Sequence, residues 1–184
     1  MSATRILGVD PGLRITGYGI IDIDGVRPRL VEGGVIRGGE GNLEVRLQTI
    51  HDGLRAVMME FEPSTAVVES LYSQYEHPRT AILMGHARGV IFLAAAECAI
   101  AVAEYPASLV KRSLTGQGRA AKAQVGAMVV RLLGLDSAPE PVDVTDALAL
   151  ALCHASPVRS SGAMPEVLRK SGRRPQLPEK LRRL

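Results

Sequence analysis

The chain has 184 residues, of which 46% are apolar and 22% are charged. This composition is that of a globular domain, and the length is sufficient for one substantial hydrophobic core. Only two cysteines are present, Cys98 and Cys153, which excludes a small disulfide-stabilised secreted fold. The sequence shows no signal peptide and no uninterrupted apolar run of about 18 residues, so we expect a cytoplasmic protein that does not enter a membrane.

The net charge of +3 is distributed unevenly along the chain. Residues 155–184 hold eight basic and two acidic side chains, a net charge of +6, whereas residues 1–154 carry −3. We therefore divide the chain into a folded domain over residues 1–156 and a basic, flexible C-terminal tail over residues 157–184. Such a tail is typical of proteins that bind nucleic acid, although a solvated tail without a partner has the same composition.

Three β-strands are predicted at the start of the chain. The segments 5–10, 15–23 and 29–36 are rich in apolar side chains, and Pro11-Gly12 and Asp24-Gly25 separate them. Asp-Gly is a strong signal for a hairpin turn. Because the connections are short, we expect the three strands to pair antiparallel in sequence.

The rest of the domain alternates helices and strands. Apolar residues from Leu43 to Phe61 recur at spacings of three and four, which predicts a helix with one buried face. A short strand then ends at Glu69, and residues 70–78 form a loop. The remaining predictions are helices over 79–99, 107–114, 122–134 and 143–155, and a strand over 100–105. This order predicts an α/β fold, with a mixed sheet of five strands whose first three are antiparallel and with helices on both faces.

Four carboxylates stand where predicted elements begin or end. Asp10 and Glu69 close two apolar strands, and Asp143 and Asp146 lie near the start of the last helix. If the two strands are parallel neighbours, about 4.8 Å apart, their carboxyl ends bring Asp10 and Glu69 together. Four carboxylates in one place repel one another unless a cation lies between them, and oxygen ligands suit Mg²⁺ or Mn²⁺. The pattern predicts a metal-dependent enzyme that acts on phosphates.

These carboxylates also have purely structural interpretations. Asp10 precedes Pro-Gly and is suited to a turn, and Asp143 with an acid three residues later resembles a capping box at a helix N-terminus. The same spacing places Asp143 and Asp146 on one helix face, as a metal site requires. Taken together with Asp10 and Glu69, metal ligation is the better interpretation.

Basic residues surround the loop at 115–120, which contains two glycines. Randomly placed cations would simply form a solvated face, but cations beside an acidic site are also what a phosphate backbone requires. The residues concerned are Lys111, Arg112, Arg119 and Lys122.

Four motifs, in order over residues 5–155, together resemble the RuvC Holliday-junction resolvases. They are Gly8-Val9-Asp10-Pro11-Gly12, the Val-Val-Glu that ends at Glu69, Lys122-Ala-Gln-Val, and Asp143-x-x-Asp146-Ala-Leu-Ala. The resemblance implies a ribonuclease H-like nuclease domain, a homodimer, and two Mg²⁺ ions in each active site, for which Mn²⁺ can substitute. It also implies paired symmetric nicks in four-way DNA junctions during homologous recombination and DNA repair, with a RuvAB-type branch-migration complex as a partner.

The resemblance also implies roles for particular residues. The four carboxylates become catalytic residues and metal ligands, and Lys111 and Lys122 become contacts to DNA. Arg112 and Arg119 are expected to bind DNA only through their positive potential. Tyr72 stands where the family usually carries a phenylalanine that wedges into the junction, and a tyrosine ring can stack on a base in the same way.

A stripe of small residues marks the predicted helix over 79–99. Ala81, Gly85 and Gly89 recur every four residues, which lets another backbone approach closely. The neighbour is either the sheet of the same domain or a second copy of the chain. The resemblance favours a dimer interface.

Other classes of protein share parts of this pattern. An actin-like ATPase or sugar kinase also begins with a strand and an Asp-x-Gly turn, but it needs a second domain, for which 184 residues leave no room. A scaffold that binds junctions without cutting them gains nothing from four uncompensated carboxylates. A related nuclease that acts on RNA is the closest rival, and the sequence leaves it open.

Overall fold

The computed structural model describes residues 4–25, 27–70 and 78–156. The predicted tail over 157–184 lies outside the described residues, so the division of the chain at residue 156 stays a prediction. Within the described residues the elements follow the predicted order. They are β1 (Thr4–Asp10), β2 (Ile15–Asp24), β3 (Arg27–Arg37), α1 (Leu43–Phe61), β4 (Thr65–Glu69), α2 (Pro78–Glu97), β5 (Ala101–Tyr105), α3 (Ala107–Thr115), α4 (Lys122–Leu133) and α5 (Val142–Ala155).

The five strands form one mixed sheet in the order β3-β2-β1-β4-β5. β1 pairs antiparallel with β2, and β2 pairs antiparallel with β3, as predicted from their short connections. β4 pairs parallel with β1 on one side and with β5 on the other. The C-terminal ends of β1, β4 and β5 therefore meet at one edge of the sheet, which is where ligands bind in open α/β sheets.

Helices cover both faces of the sheet, as predicted. α1 and α2 pack on the face that carries Leu7 and Val9, and α3, α4 and α5 pack on the face that carries Ile6 and Val67. This alternation follows from the two-residue period of a strand. Since both faces are covered, the central strands are apolar almost continuously.

α5 lies very close to the sheet because β1 and β2 present glycines to it. A Cβ built on Gly8 would lie 1.9 Å from the carbonyl oxygen of Ala147, and a Cβ built on Gly17 would lie 2.1 Å from that of Asp143. Side chains at these positions would force the helix away. Gly17 is paired with Asp10 across the β1–β2 ladder, so the close approach sets the first turn of α5 beside the C-terminal end of β1.

The predicted element boundaries are mostly confirmed to within two residues. The second helix was predicted to end at residue 99 but ends at Glu97. Ala99 has a φ of 57°, a left-handed conformation that cannot continue a right-handed helix. Cys98 and Cys153 are free thiols, in agreement with the sequence.

The exposure of α2 is unusual for so apolar a helix. Among the described residues, it is the one helix long and apolar enough to cross a membrane, by length and composition alone, over Thr80–Glu97. In the fold it packs against α1 and buries Ile91 on the sheet. Ile82 and Leu93 nevertheless remain 63% and 52% exposed. α2 thus keeps an apolar outer face that the described domain does not cover.

Candidate active site

The register of the sheet brings Asp10 and Glu69 together. Val9 is paired with Val68 in the parallel ladder between β1 and β4, so the two acids are the next residues on neighbouring strands. Val67, two residues before Glu69, packs in the core on the side of α5. Since side chains alternate along a strand, Glu69 faces that side as well. The prediction that these strands are parallel neighbours is confirmed.

α5 supplies the other two carboxylates from its first turn and a half. Asp143 is its second residue and Asp146 its fifth, a spacing that puts both on one helix face. The capping-box interpretation is wrong, because the N-cap residue is Pro141 and no side-chain cap forms there. Asp146 lines the same cleft as Asp10, whereas Asp143 lines an adjoining groove.

A cleft of about 270 Å³ opens at this edge of the sheet. Its polar lining consists of Asp10, Glu69 and Asp146 together with Lys111 from α3 and Lys122 from α4. The ammonium group of Lys122 donates a hydrogen bond of 2.7 Å to Oδ2 of Asp146. Three acids and two cations in one cleft suit a ligand that brings both a metal ion and a phosphate.

Burial and mutual repulsion perturb the carboxylates of the cleft. The pKa of Asp10 is raised to about 7, first by burial and then by the charges of Asp146, Glu69 and Asp143, against the opposing charge of Lys122. The pKa of Glu69 is also raised, first by burial and then by the charge of Asp146. The pKa of the Lys122 ammonium is raised, chiefly by its hydrogen bond to Asp146. The cluster therefore retains a proton near neutral pH unless a further cation binds.

The carboxylate cluster has the chemistry of a divalent-cation site. Its donors are carboxylate oxygens, which a hard cation such as Mg²⁺ prefers, and the pKa of Asp10 is raised by burial and then by three neighbouring carboxylates, against the opposing charge of Lys122. Across residues 4–25, 27–70 and 78–156, no three acidic, histidine or cysteine side chains already lie close enough together to hold an ion. The residues fit a metal by the type of their donor atoms and by their place at one edge of the sheet.

Comparison with known proteins decides the family. A family model described as crossover junction endodeoxyribonuclease RuvC matches residues 6–154. The chain belongs to the RuvC family. A crossover junction endodeoxyribonuclease RuvC from Azoarcus sp. (strain BH72) is 49% identical over 153 residues, which are 83% of this chain and 82% of that protein. The protein of the same name from Rhodopirellula baltica is also 49% identical over 153 residues, with 83% and 86% covered.

Solved RuvC structures share the architecture. The Thermus thermophilus RuvC structure matches with a TM-score of 0.80 and 34% identity, covering 88% of this chain and 99% of that one. T. thermophilus RuvC in complex with Holliday junction substrate matches with a TM-score of 0.78 and 32% identity, over the same shares. The expected ribonuclease H-like mixed sheet is thereby confirmed for this chain.

Within this RuvC-family fold the predicted DNA-binding residues separate into groups. Lys111 and Lys122 line the cleft, whereas Arg112 and Arg119 are exposed and stand outside its described lining. The DNA-binding roles of all four residues stay predictions. Tyr72 lies outside the described residues, and its role stays a prediction.

Arg88 is a buried residue behind the site that sequence reasoning did not single out. It is 6% exposed, and its guanidinium donates hydrogen bonds to the backbone carbonyl of Glu69 and to the carboxylate of Glu104. The same group lies over the ring of Phe92, 5.1 Å from the centroid. Arg88 thus ties α2 to the C-terminal ends of β4 and β5. An arginine in the apolar middle of α2 was the signal that could have found it.

Proposed function

We propose that this RuvC-family chain is a Mg²⁺-dependent endonuclease that resolves four-way (Holliday) DNA junctions by paired symmetric nicks. The observation that carries the proposal is the convergence of carboxylates from β1, β4 and α5 beside two lysines at one edge of the sheet. Membership of a family whose T. thermophilus member was solved with a Holliday junction substrate supports the choice of DNA. We place the reaction in homologous recombination and DNA repair, in the cytoplasm.

Each residue of the cluster has a role in this proposal. Asp10, whose charge is coupled to all three other acids, would be shared between two Mg²⁺ ions, of which Glu69 would help to hold one and Asp143 and Asp146 the other. When bound, Mg²⁺, or Mn²⁺ in its place, would supply Lewis-acid chemistry that activates a water and stabilises the leaving 3′-oxygen. Lys122 neutralises charge beside the scissile phosphate. The products carry 5′-phosphate and 3′-hydroxyl ends.

Matched substrates test this function. A four-way junction, a linear duplex and an RNA–DNA hybrid of related sequence are incubated with the protein in Mg²⁺ or in EDTA. We expect the protein to cleave only the four-way junction, and to do so in Mg²⁺ but not in EDTA. Preferred cleavage of the hybrid would favour the rival, an RNA-directed nuclease.

Divalent cations should differ in what they support. Mg²⁺ and Mn²⁺ should support cleavage, whereas the larger and more loosely coordinated Ca²⁺ should support only junction binding. Because a cation that binds the folded state stabilises it, Mg²⁺ should raise the Tm of the wild type, and should raise it less in Asp146→Asn. Thermal melts at constant ionic strength measure this effect without any cleavage. Strong turnover in EDTA would contradict metal dependence.

The outer face of α2 is suited to a second copy of the chain. A Cβ built on Gly85 or Gly89 would meet no described atom within 4 Å, so this part of the stripe does not pack on the domain's own sheet. Ile82 and Leu93 are exposed on the same side of the helix. We propose a two-fold homodimer through α2, with Ala81, Gly85 and Gly89 at the close approach. Such a dimer presents identical sites to opposed strands of a nearly two-fold junction.

Gly85→Leu combined with Gly89→Leu should give monomers. The added side chains point into open space in the isolated domain, so the fold should survive, but they block close approach of a second helix. Sedimentation should show a wild-type dimer and a variant monomer, and a doubly labelled junction should show single nicks in place of paired ones. Gly126→Ala, on another helix, is the control. A wild-type monomer that makes paired nicks would refute this interface.

Arg88→Lys should slow cleavage without weakening junction binding. Lysine keeps the charge but cannot donate to both the Glu69 carbonyl and Glu104 in the planar arrangement of a guanidinium. Groups that position metal-binding residues are worth about 10–100-fold in activity, so we expect a fall of that size in kcat with KM unchanged. Arg55→Lys, at an exposed position on α1, is the control. Wild-type kcat in Arg88→Lys would contradict the positioning role.

Further parts of the proposal concern residues outside those described. We propose that the basic tail over 157–184 contacts DNA through its positive charge, and that Tyr72 stacks on a base at the junction. A RuvAB-type branch-migration complex is the proposed protein partner. These roles extend the nuclease proposal and do not carry it.

A further inference from the structure

A groove of about 500 Å³ adjoins the active-site cleft at the first turn of α5. Its polar lining includes Arg14, Arg46, Thr80 and Asp143. Asp143 is one of the four site carboxylates, and Arg14 follows Asp10 by only four residues. Because the charge of Asp143 also acts on Asp10, the groove lies beside the carboxylate cluster.

The two arginines of the groove have no acidic partner within the described part of the chain. None of the ion pairs found there involves Arg14 or Arg46. The Nε atom of Arg46 is buried and lacks a hydrogen-bond partner among those residues. A buried donor without a partner destabilises the folded chain, and more so if it is charged. Guanidinium groups bind anionic oxygens in a planar, bidentate manner, so the free donors point to a phosphate ligand.

The backbone that carries Arg14 is held in place by the fold itself. The hydroxyl of Thr16 donates a hydrogen bond of 2.7 Å to the carbonyl of Gly12, and the N–H of Gly38 donates one of 3.0 Å to the carbonyl of Arg14. A Cβ built on Gly12 would lie 2.2 Å from the carbonyl oxygen of Ile15, so the turn requires glycine. A rigid turn lowers the ordering cost of binding.

We propose that this groove binds phosphates of the cleaved DNA strand, on the side of the scissile phosphate away from Lys111 and Lys122. Arg14 and Arg46 are the contacts. The inference rests on the proposed function, because a strand laid across four carboxylates needs cations on both sides of them to offset repulsion between like charges. Lys111 and Lys122 supply the positive charge on the side of the cleft, and Arg14 and Arg46 supply it on the side of the groove.

Salt-dependent binding tests the groove without metal or cleavage. Affinity for a synthetic four-way junction is measured by fluorescence anisotropy in EDTA over a range of KCl concentrations. Arg14→Gln and Arg46→Gln should each reduce the slope of log affinity against log salt by about 0.9 and weaken binding roughly tenfold at 0.1 M salt. Arg46→Lys keeps the charge and should keep the slope. Arg55→Gln removes one charge from an exposed position on α1 and should change neither quantity.

Neutral methylphosphonates, placed one at a time along the cleaved strand, locate the contact. The wild type should lose affinity at one or more positions beside the cleavage site, and Arg14→Gln should show no loss at the same positions. If both glutamine variants keep the wild-type salt slope and the wild-type methylphosphonate pattern, the proposal that the groove binds DNA is wrong. The proposed function as a junction nuclease would not be affected by that result. If the wild type neither binds nor cleaves the junction, the proposed function fails and the groove with it. If Arg46→Gln does not fold, the exposed Arg14 decides alone.

Discussion

Asp10→Asn is expected to reduce cleavage of a four-way junction by about 10³-fold or more, which corresponds to about 4 kcal/mol of transition-state stabilisation. Asp10 ends the central strand, and its charge is coupled to the other three carboxylates. An amide in its place keeps the shape but removes the charge that holds cations. Single-turnover cleavage in Mg²⁺ measures the effect.

Junction binding should be retained or strengthened in Asp10→Asn, because the amide no longer repels phosphate. Stability supplies a second readout. The pKa of Asp10 is about 7 in the folded chain, above its unfolded value of about 3.9. The stability that the protonated Asp10 contributes to the folded state is therefore fully present below pH 4 and is lost as the pH rises through 7. Without divalent cations, Asp10→Asn should therefore melt at a higher temperature than the wild type at pH 8, and the difference should vanish near pH 4.

Asp24→Asn is the matched control for this prediction. Asp24 is an exposed acid at the far end of β2, opposite Arg27, and its replacement should leave cleavage unchanged. Near wild-type nicking in Asp10→Asn would remove Asp10 from the catalytic site. Loss of junction binding together with cleavage would instead indicate damage to the fold.

Gly17→Ala is expected to destabilise the domain and to inactivate whatever remains folded. The new methyl group would lie 2.1 Å from the carbonyl oxygen of Asp143 and 2.8 Å from its Cβ, and backbone cannot yield as a flexible side chain does. Overpacking of this kind costs about 3 kcal/mol or more. To relieve it, the first turn of α5 must move away from the sheet and carry Asp143 away from Asp10. Chemical denaturation and cleavage measure the two effects.

Gly126→Ala is the control for Gly17→Ala. Gly126 lies within α4, and a Cβ there would approach no described atom closer than Cγ2 of Thr145, at 3.7 Å. Alanine in a helix is favoured over glycine by about 0.5–1 kcal/mol, so this variant should be slightly more stable than the wild type and fully active. Wild-type stability and activity in Gly17→Ala would contradict the described position of α5.

The parts of the site that the sequence predicted depend on local patterns. Asp10 and Glu69 follow apolar runs, and a run that ends on an acid marks the edge of a sheet whatever the remaining topology. Asp143 and Asp146 could be placed on one helix face by spacing alone. The sequence could bring Asp10 and Glu69 together only if their strands were parallel neighbours. The parallel pairing of β1 with β4, in which Val9 is opposite Val68, meets that condition.

The parts that the sequence did not predict depend on contacts between distant segments. The hydrogen bonds of Arg88 join residues 16 and 19 positions apart, and the groove brings Arg14 and Arg46 together with Asp143, which lies 129 and 97 residues further along the chain. The close approach of α5 depends on Gly8 and Gly17, which in a single sequence are indistinguishable from glycines that weaken a strand. Periodicity describes an element's own faces but not the element that covers them.

Cleavage of a supercoiled plasmid that extrudes a cruciform tests the central claim most directly. The account predicts linear plasmid as the first product in Mg²⁺, without accumulation of nicked circles, because two identical sites cut opposed strands within one complex. It also predicts that a plasmid of equal superhelicity without the inverted repeat stays intact. Nicked circles alone, or equal cleavage of both plasmids, would contradict a two-fold enzyme that selects four-way junctions.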